Sequence, residues 1–218
     1  RKVTAFHEAG HALVAKLIPD AEPLHKVTII PMGMSLGSTM QLPERDRYIM
    51  PRRNMIAMLK VLYGGRIAEE LFCGDVSTGA SNDILRASDL ARAMICKYGM
   101  SEKLGPISYS SREEHVFLGN EITRPREFSE ATQVAIDAEV KALVDECYGG
   151  VRKLVETHGE DLKKLGSALL KYETLSGEEV TEILAGKNID EIKARRAVEL
   201  ESHKIKKQTT PAEDRAAM

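Results

Sequence analysis

A mainly α-helical domain with one small β element is the fold the sequence predicts, and three observations predict it. Apolar residues recur at helical spacing in one segment after another. Only one short region, 25–42, is β-branched and turn-bounded enough for strands. The composition is ordinary for a globular protein: of 218 residues, 43% are hydrophobic and 29% charged, enough for a real core in one large domain or one domain with an appendage.

The elements follow in order. From Lys2 to Leu17 the apolar positions Val3, Phe6, Leu13, Val14 and Leu17 keep helical spacing until Pro19 stops the helix. "HKVTIIPMG" (25–33) and "GSTMQL" (37–42) read as a hairpin or two-stranded element, with Met32, Met34 and Met40 expected to fill core around it. Pro51 is a natural first residue for a second helix carrying Met55, Met58, Leu59, Leu62 and Leu71 on one stripe. "GDVSTGASND" is a loop, with Thr78 or Ser81 a plausible N-cap for the helix "DILRASDLARAMICKYG". The stretch 100–125, holding Gly105, Pro106 and Pro125, reads as surface loop. "REFSEATQVAIDAEVKALVDECYGGVRKLVETHGE" is one long helix or a pair, and "DLKKLGSALLKYETLSGEEVTEILAG" two short helices, the second opened by a capping box of Ser176 and Glu179. Residues 1–188 are read as the folded domain. Residues 189–218 are a charged tail, partly helical and then disordered after Lys204.

Charge and composition exclude several functions. A net charge of -2, from 31 basic and 33 acidic residues, offers nothing to nucleic acid or an anionic membrane. Aromatics make up 5% and tryptophan is absent, so base-stacking platforms are not expected either. Cys73, Cys96 and Cys147 are scattered without a CxxC pair, which suits buried thiols in a reducing compartment. No apolar run is long enough to span a bilayer, and no signal peptide is visible. The chain begins with Arg, close to its most informative motif, and so reads as an excised or processed piece.

That motif is "HEAGH": His7, Glu8, Ala9, Gly10, His11. On a helix, residues four apart differ by about 40° around the axis, so His7 and His11 project side by side, as two imidazoles must to share one tetrahedral zinc. Glu8 is rotated by about 100° from His7, placed to reach an open metal position without being a natural ligand. HExxH is the pattern of zinc-dependent metallopeptidases, with the glutamate as general base. Two surface histidines meeting by chance at this spacing is the weaker reading, because Ala9, Gly10 and Ala12 leave room for another element to approach. The extension HExxHxxGxxH fails at Val14, so the third ligand lies elsewhere. Glu69 and Glu70 in "GGRIAEELF" and Asp83 in "STGASND" are the candidates, and spacing cannot choose among them. His25, His115, His158 and His203 need no functional role.

"TAFHEAGHALVA", "GSTMQLPERDRY", "LYGGRIAEELF", "STGASNDILRASDLARAMICKYGMSEKLGP" and "LSGEEV" together resemble the peptidase domain of the FtsH/AAA protease family, in the family's order over residues 4–184. The resemblance implies a helical zincin-type peptidase domain with its β element beside the active site. In it, His7 and His11 bind zinc, Glu8 is the catalytic base, Asp83 is the third ligand, and Glu69 is an acid orienting a ligand histidine. Phe6 stands where the family often has Tyr. The family also implies partners: unfolded or membrane-extracted polypeptides as substrates, a homo-hexamer, and an AAA ATPase domain and membrane anchor in the full-length protein. This domain would then lie on the cytoplasmic face, or in an organelle's matrix or stroma. "GDVSTGAS" has Walker-like glycines at Gly74 and Gly79 but Ala80 in place of the phosphate-binding lysine, so no ATP site is expected in this chain. Proteases commonly hold a peptide along an exposed strand edge. Positions 35–42, with Gly37, Ser38, Thr39, Met40 and Gln41 at their centre, are therefore expected to pair with substrate backbone.

Overall fold

A computed structural model of the chain describes residues 1–31, 36–42, 49–109 and 128–208, with only the backbone described from 199 onward. Its centre is helix α1 (Lys2–Leu17), in which every position from 5 to 15 is buried. A helix apolar or small on all faces belongs inside a domain, and Ala5, Ala9, Ala12 and Ala15 let neighbours close on it from several sides. It ends where Ile18, held extended before Pro19, leaves the helical region (φ -84, ψ 121).

Helix α2 (Arg52–Phe72) lies against α1 at backbone contact. A Cβ on Gly10 would stand 2.3 Å from the Gly64 carbonyl oxygen, and one on Gly64 would stand 2.7 Å from that of Gly10. Pro51 is the N-cap of α2 and not its first residue, a shift of one position. Beyond α2 the chain makes a 3₁₀ turn (Thr78–Ala80), capped by the Ser77 side chain accepting from the Gly79 amide, and runs directly into α3 (Ser81–Cys96). Neither Thr78 nor Ser81 acts as the cap, because the 3₁₀ turn moves the capping duty back to Ser77. The long apolar stretch forms a single helix, α4 (Glu130–Thr157), capped by Ser129. It packs on α2 and α3.

α5 (Gly159–Tyr172) packs on α1. α6 (Gly177–Leu184) begins with the expected box: Ser176 accepts from the Glu179 amide and Glu179 accepts from the Ser176 amide. Around these helices Leu13, Leu59, Ile67, Met94, Leu162, Leu165, Leu169 and Leu175 form a continuous core.

The β element has three strands where the sequence predicts two. Strands β1 (Leu24–Thr28), β2 (Ser38–Gln41) and β3 (Thr174–Ser176) form an antiparallel sheet in the order β2-β1-β3. Thr39 is opposite Val27 on one side, and Leu175 is opposite Val27 on the other. Among the described residues β2 is thus an edge strand. Helix α7 (Ile189–Gln208) is docked by its first turns, with Ile192 buried, Lys193 on Glu179 and Lys171 on Asp190. Met32, Met34, Ser35, His115, much of the 100–125 loop and the end of the tail lie outside the described residues. Among the described residues no helix is long and apolar enough to cross a membrane.

Candidate metal centre

The buried polar residues of α1 are His7, Glu8 and His11, and each has partners. His11 Nδ1 lies 2.7 Å from the Val61 carbonyl oxygen. A carbonyl only accepts, so Nδ1–H is the donor and Nε2 keeps its lone pair. His7 Nδ1 lies 2.7 Å from Glu69 Oε1, and an ionised Glu69 imposes the same tautomer. The second oxygen of Glu69 accepts from the Ser77 amide at 2.9 Å, tying α2 to the loop that leads into α3. Glu69 is 1% exposed.

The two Nε2 atoms therefore face the same point, 3.0 Å apart, and α3 brings Asp83 Oδ2 to 3.1 Å from His7 and 3.2 Å from His11. Three acceptor atoms at such distances repel unless a proton or cation lies among them. Ligand atoms on a tetrahedral zinc, at about 2.0–2.1 Å from the ion, stand about 3.3 Å apart, so this triangle fits zinc with little adjustment. Two imidazoles and one carboxylate are also a common catalytic zinc donor set. Among the described residues, His7, His11 and Asp83 are the group able to hold a metal. Gly65 makes room beneath them, since a Cβ there would stand 2.5 Å from His11 Nε2 and 2.7 Å from His7 Nε2.

The electrostatics reflect the same crowding. Burial would raise the Asp83 carboxyl, but hydrogen bonds and charge from His11 and His7 outweigh it and hold the group far below the ordinary carboxylate range. Burial pulls the His7 imidazole down, yet Asp83, Glu8 and Glu69 leave it above its usual 6.5.

Glu70 is turned away from this point. It accepts from Arg66 at 3.0 Å, the Tyr148 hydroxyl at 2.6 Å and Arg152 at 3.0 Å, clamping α2 to α4. Burial raises the Tyr148 hydroxyl, and its bond to Glu70 adds to this, pushing it up to about 12. Glu8 faces β2 instead. Thr39 Oγ1 donates to Glu8 Oε2 at 2.6 Å, and a Cβ on Gly37 would stand 2.7 Å from Glu8 Oε1. Gln41 reaches back to the Glu22 carbonyl at 2.6 Å. Sequence reasoning missed Val61, Ser77 and Gly65. Only Gly65 left a signal, as half of a glycine pair inside a helix, where glycine is costly without a packing reason.

The sequence model of peptidase family M41 matches residues 1–183. The ATP-dependent zinc metalloprotease FtsH of Acidobacterium capsulatum is 49% identical over 193 residues, covering 88% of this chain and 30% of the relative. The protein of the same name from Magnetococcus marinus is 50% identical over 186 residues, 85% of this chain and 28% of the relative. That of Thermotoga maritima is 45% identical over 186 residues, 85% and 30%. The chain spans less than a third of the length of these relatives. The family match extends across the helices and loops that carry His7, Glu8, His11, Glu69 and Asp83, and the chain belongs to peptidase family M41.

Proposed function

We propose that this domain is a zinc endopeptidase, in which His7, His11 and Asp83 hold the ion, Glu69 orients His7, and Glu8 is the general base. The observation that carries the reading is the triangle of two imidazole Nε2 atoms and one carboxylate oxygen, none wider than 3.2 Å, one residue away from a buried glutamate. Zinc, when bound there, supplies Lewis acidity that polarises a scissile carbonyl and lowers the pKa of water toward neutrality. The Glu8 carboxylate accepts a proton from the attacking water and passes it to the departing amine nitrogen. Val61 and Glu69 hold both rings in the tautomer that presents Nε2. Edge strand β2, beside Glu8, offers its backbone to an extended polypeptide. Main-chain pairing of this kind selects for extended, unfolded chains and only weakly for side chains.

The relatives are named as ATP-dependent proteases, and the chain covers less than a third of them. We infer that the full-length protein adds an AAA ATPase domain that feeds unfolded or membrane-extracted polypeptides to a homo-hexameric peptidase ring, and a membrane anchor. The peptidase then lies on the cytoplasmic, matrix or stromal side.

The test is elemental analysis of zinc, paired with cleavage of unfolded casein, for the full-length protein and its Glu8→Gln and Asp83→Ala variants. Glu8→Gln is expected to keep zinc and lose cleavage, and Asp83→Ala to lose zinc. Full zinc in Asp83→Ala would remove Asp83 from the ligand set, and a parent free of zinc after supplementation would end the enzyme reading.

A further inference from the structure

The geometry points to Thr39 as a positioning residue for the general base: its hydroxyl holds Glu8 by Oε2, while the backbone of the same strand is the edge offered to substrate. This rests on the zinc peptidase reading above and reassigns the Thr39 side chain from substrate contact to the catalytic glutamate.

The position a Cβ would take on Gly37, just before β2, and the Thr39 side chain two residues on point the same way. Both look at Glu8. Thr39 Oγ1 lies 2.6 Å from Glu8 Oε2, within the 2.5–2.7 Å or so typical of a hydroxyl donating to an ionised carboxylate. The same oxygen stands 3.3 Å from the Glu8 carbonyl, so the hydroxyl is held over the first turns of α1. At Gly37 a Cβ would meet Glu8 Oε1 at 2.7 Å and Glu8 Cγ at 2.9 Å. Glycine there lets the strand close onto the glutamate, and threonine two residues on fastens it.

A carboxylate accepts and cannot donate, so the Thr39 proton is committed to Glu8 whenever Glu8 is ready to act as base. Losing this bond frees the glutamate side chain to rotate among its staggered positions. The barrier then rises while the ion and the strand edge remain in place. Because β2 is an edge strand, a polypeptide paired along it would rigidify the strand that carries Thr39. Binding and alignment of the catalytic group share one element.

The experiment compares Thr39→Val, which keeps the shape and removes the donor, with Thr39→Ser, which keeps the donor, in the full-length protein. Zinc content, kcat and KM for an unfolded polypeptide are measured for each. Binding of a fluorescent peptide to the metal-free protein is measured by anisotropy as a readout independent of turnover. Thr39→Val is expected to lower kcat by about ten- to a hundredfold, as for a lost hydrogen bond to a charged group. KM, zinc content and peptide affinity should stay within twofold. Thr39→Ser should recover most of the loss, and Thr39→Val added to Glu8→Gln should cost nothing further. An increase in KM and weaker peptide binding at unchanged kcat would return Thr39 to the substrate. A fall in zinc content, or no recovery with serine, would make its role one of packing; either overturns the inference. Glu8→Gln at full activity would sink the general-base reading itself. Glu8→Gln inactive beside a fully active Thr39→Val would sink only the role of Thr39.

Discussion

Replacing Gly65 by alanine tests the metal centre without touching a ligand. The new Cβ would stand 2.5 Å from His11 Nε2, 2.6 Å from His7 Cε1 and 2.7 Å from His7 Nε2, where ordinary contact begins at 3.4 Å. The rings must then retreat by roughly 1 Å, several times the tolerance of about 0.2 Å on metal–ligand distances. Their Nδ1 anchors on Val61 and Glu69 oppose the movement. Changes that only disturb the groups behind a ligand weaken metal binding by about ten- to a hundredfold, so displacing two ligands directly should exceed about a hundredfold. Folding suffers far less. Alanine gains about 0.5–1 kcal/mol in a helix, set against about 1–3 kcal/mol for overpacking at the tips of two side chains. The net loss is at most about 2.5 kcal/mol, or about 5–10 °C in melting temperature. Gly64→Ala, one residue earlier, should do the reverse. Its Cβ meets the Gly10 backbone at 2.7 Å, which cannot swing aside, so α1 and α2 separate and folding itself fails. Zinc affinity by chelator competition and melting of the metal-free protein read the two effects separately. Gly65→Ala with zinc affinity within threefold of the parent would refute the claim that this glycine is the floor of the site.

Two further substitutions separate the neighbouring glutamates. Glu69 accepts on both oxygens, from His7 and from the Ser77 amide, whereas a glutamine has one acceptor oxygen. Glu69→Gln should therefore lose one buried bond, at about 1–3 kcal/mol, and weaken zinc about ten- to a hundredfold; unchanged affinity in a chelator titration would remove Glu69 from the site. Glu70 answers to pH instead. Burial raises its carboxyl, but Tyr148, Arg66 and Arg152 outweigh this and leave it below its ordinary 4.5. A carboxyl lowered on folding stabilises fully above its unfolded value and loses that contribution as pH falls through the folded one. Urea unfolding from pH 4.5 downward should show a shallower acid loss in Glu70→Gln than in the parent, at unchanged zinc affinity, and identical acid limbs would contradict the clamp.

How much of this was legible in the sequence depends on the range of the interaction that decides each feature. α1, α2, the Ser176–Glu179 box and the side-by-side histidines were legible because the signal lies within a few residues. β3 was not: three residues are too few to show an alternating pattern, and only pairing with β1 makes them a strand. The residues alone left Glu69, Glu70 and Asp83 open as the third ligand, and the family resemblance pointed to Asp83. The physical reason is that adjacent helical positions point about 100° apart, so the face that packs on α1 decides which glutamate meets a histidine. That face is chosen by Gly64 against Gly10, a contact across the fold. The bond from Thr39 to Glu8 likewise depends on how β2 is set against α1.

The site's order of construction follows from these contacts. Burying His7, Glu8 and His11 on a central helix costs free energy unless each polar atom is paired. The fold meets that cost with partners from separate elements: Val61 and Glu69 from α2, Asp83 from α3, Thr39 from β2. Each histidine uses one nitrogen for support and keeps the other for the centre, and Glu8 is supported from the strand and not from the metal side. The supports can therefore be removed one at a time, and each removal should disturb a different property. Loss of Glu69 should weaken zinc binding, loss of Thr39 should slow the chemistry, and loss of Gly64 should unmake the pair of helices on which both depend.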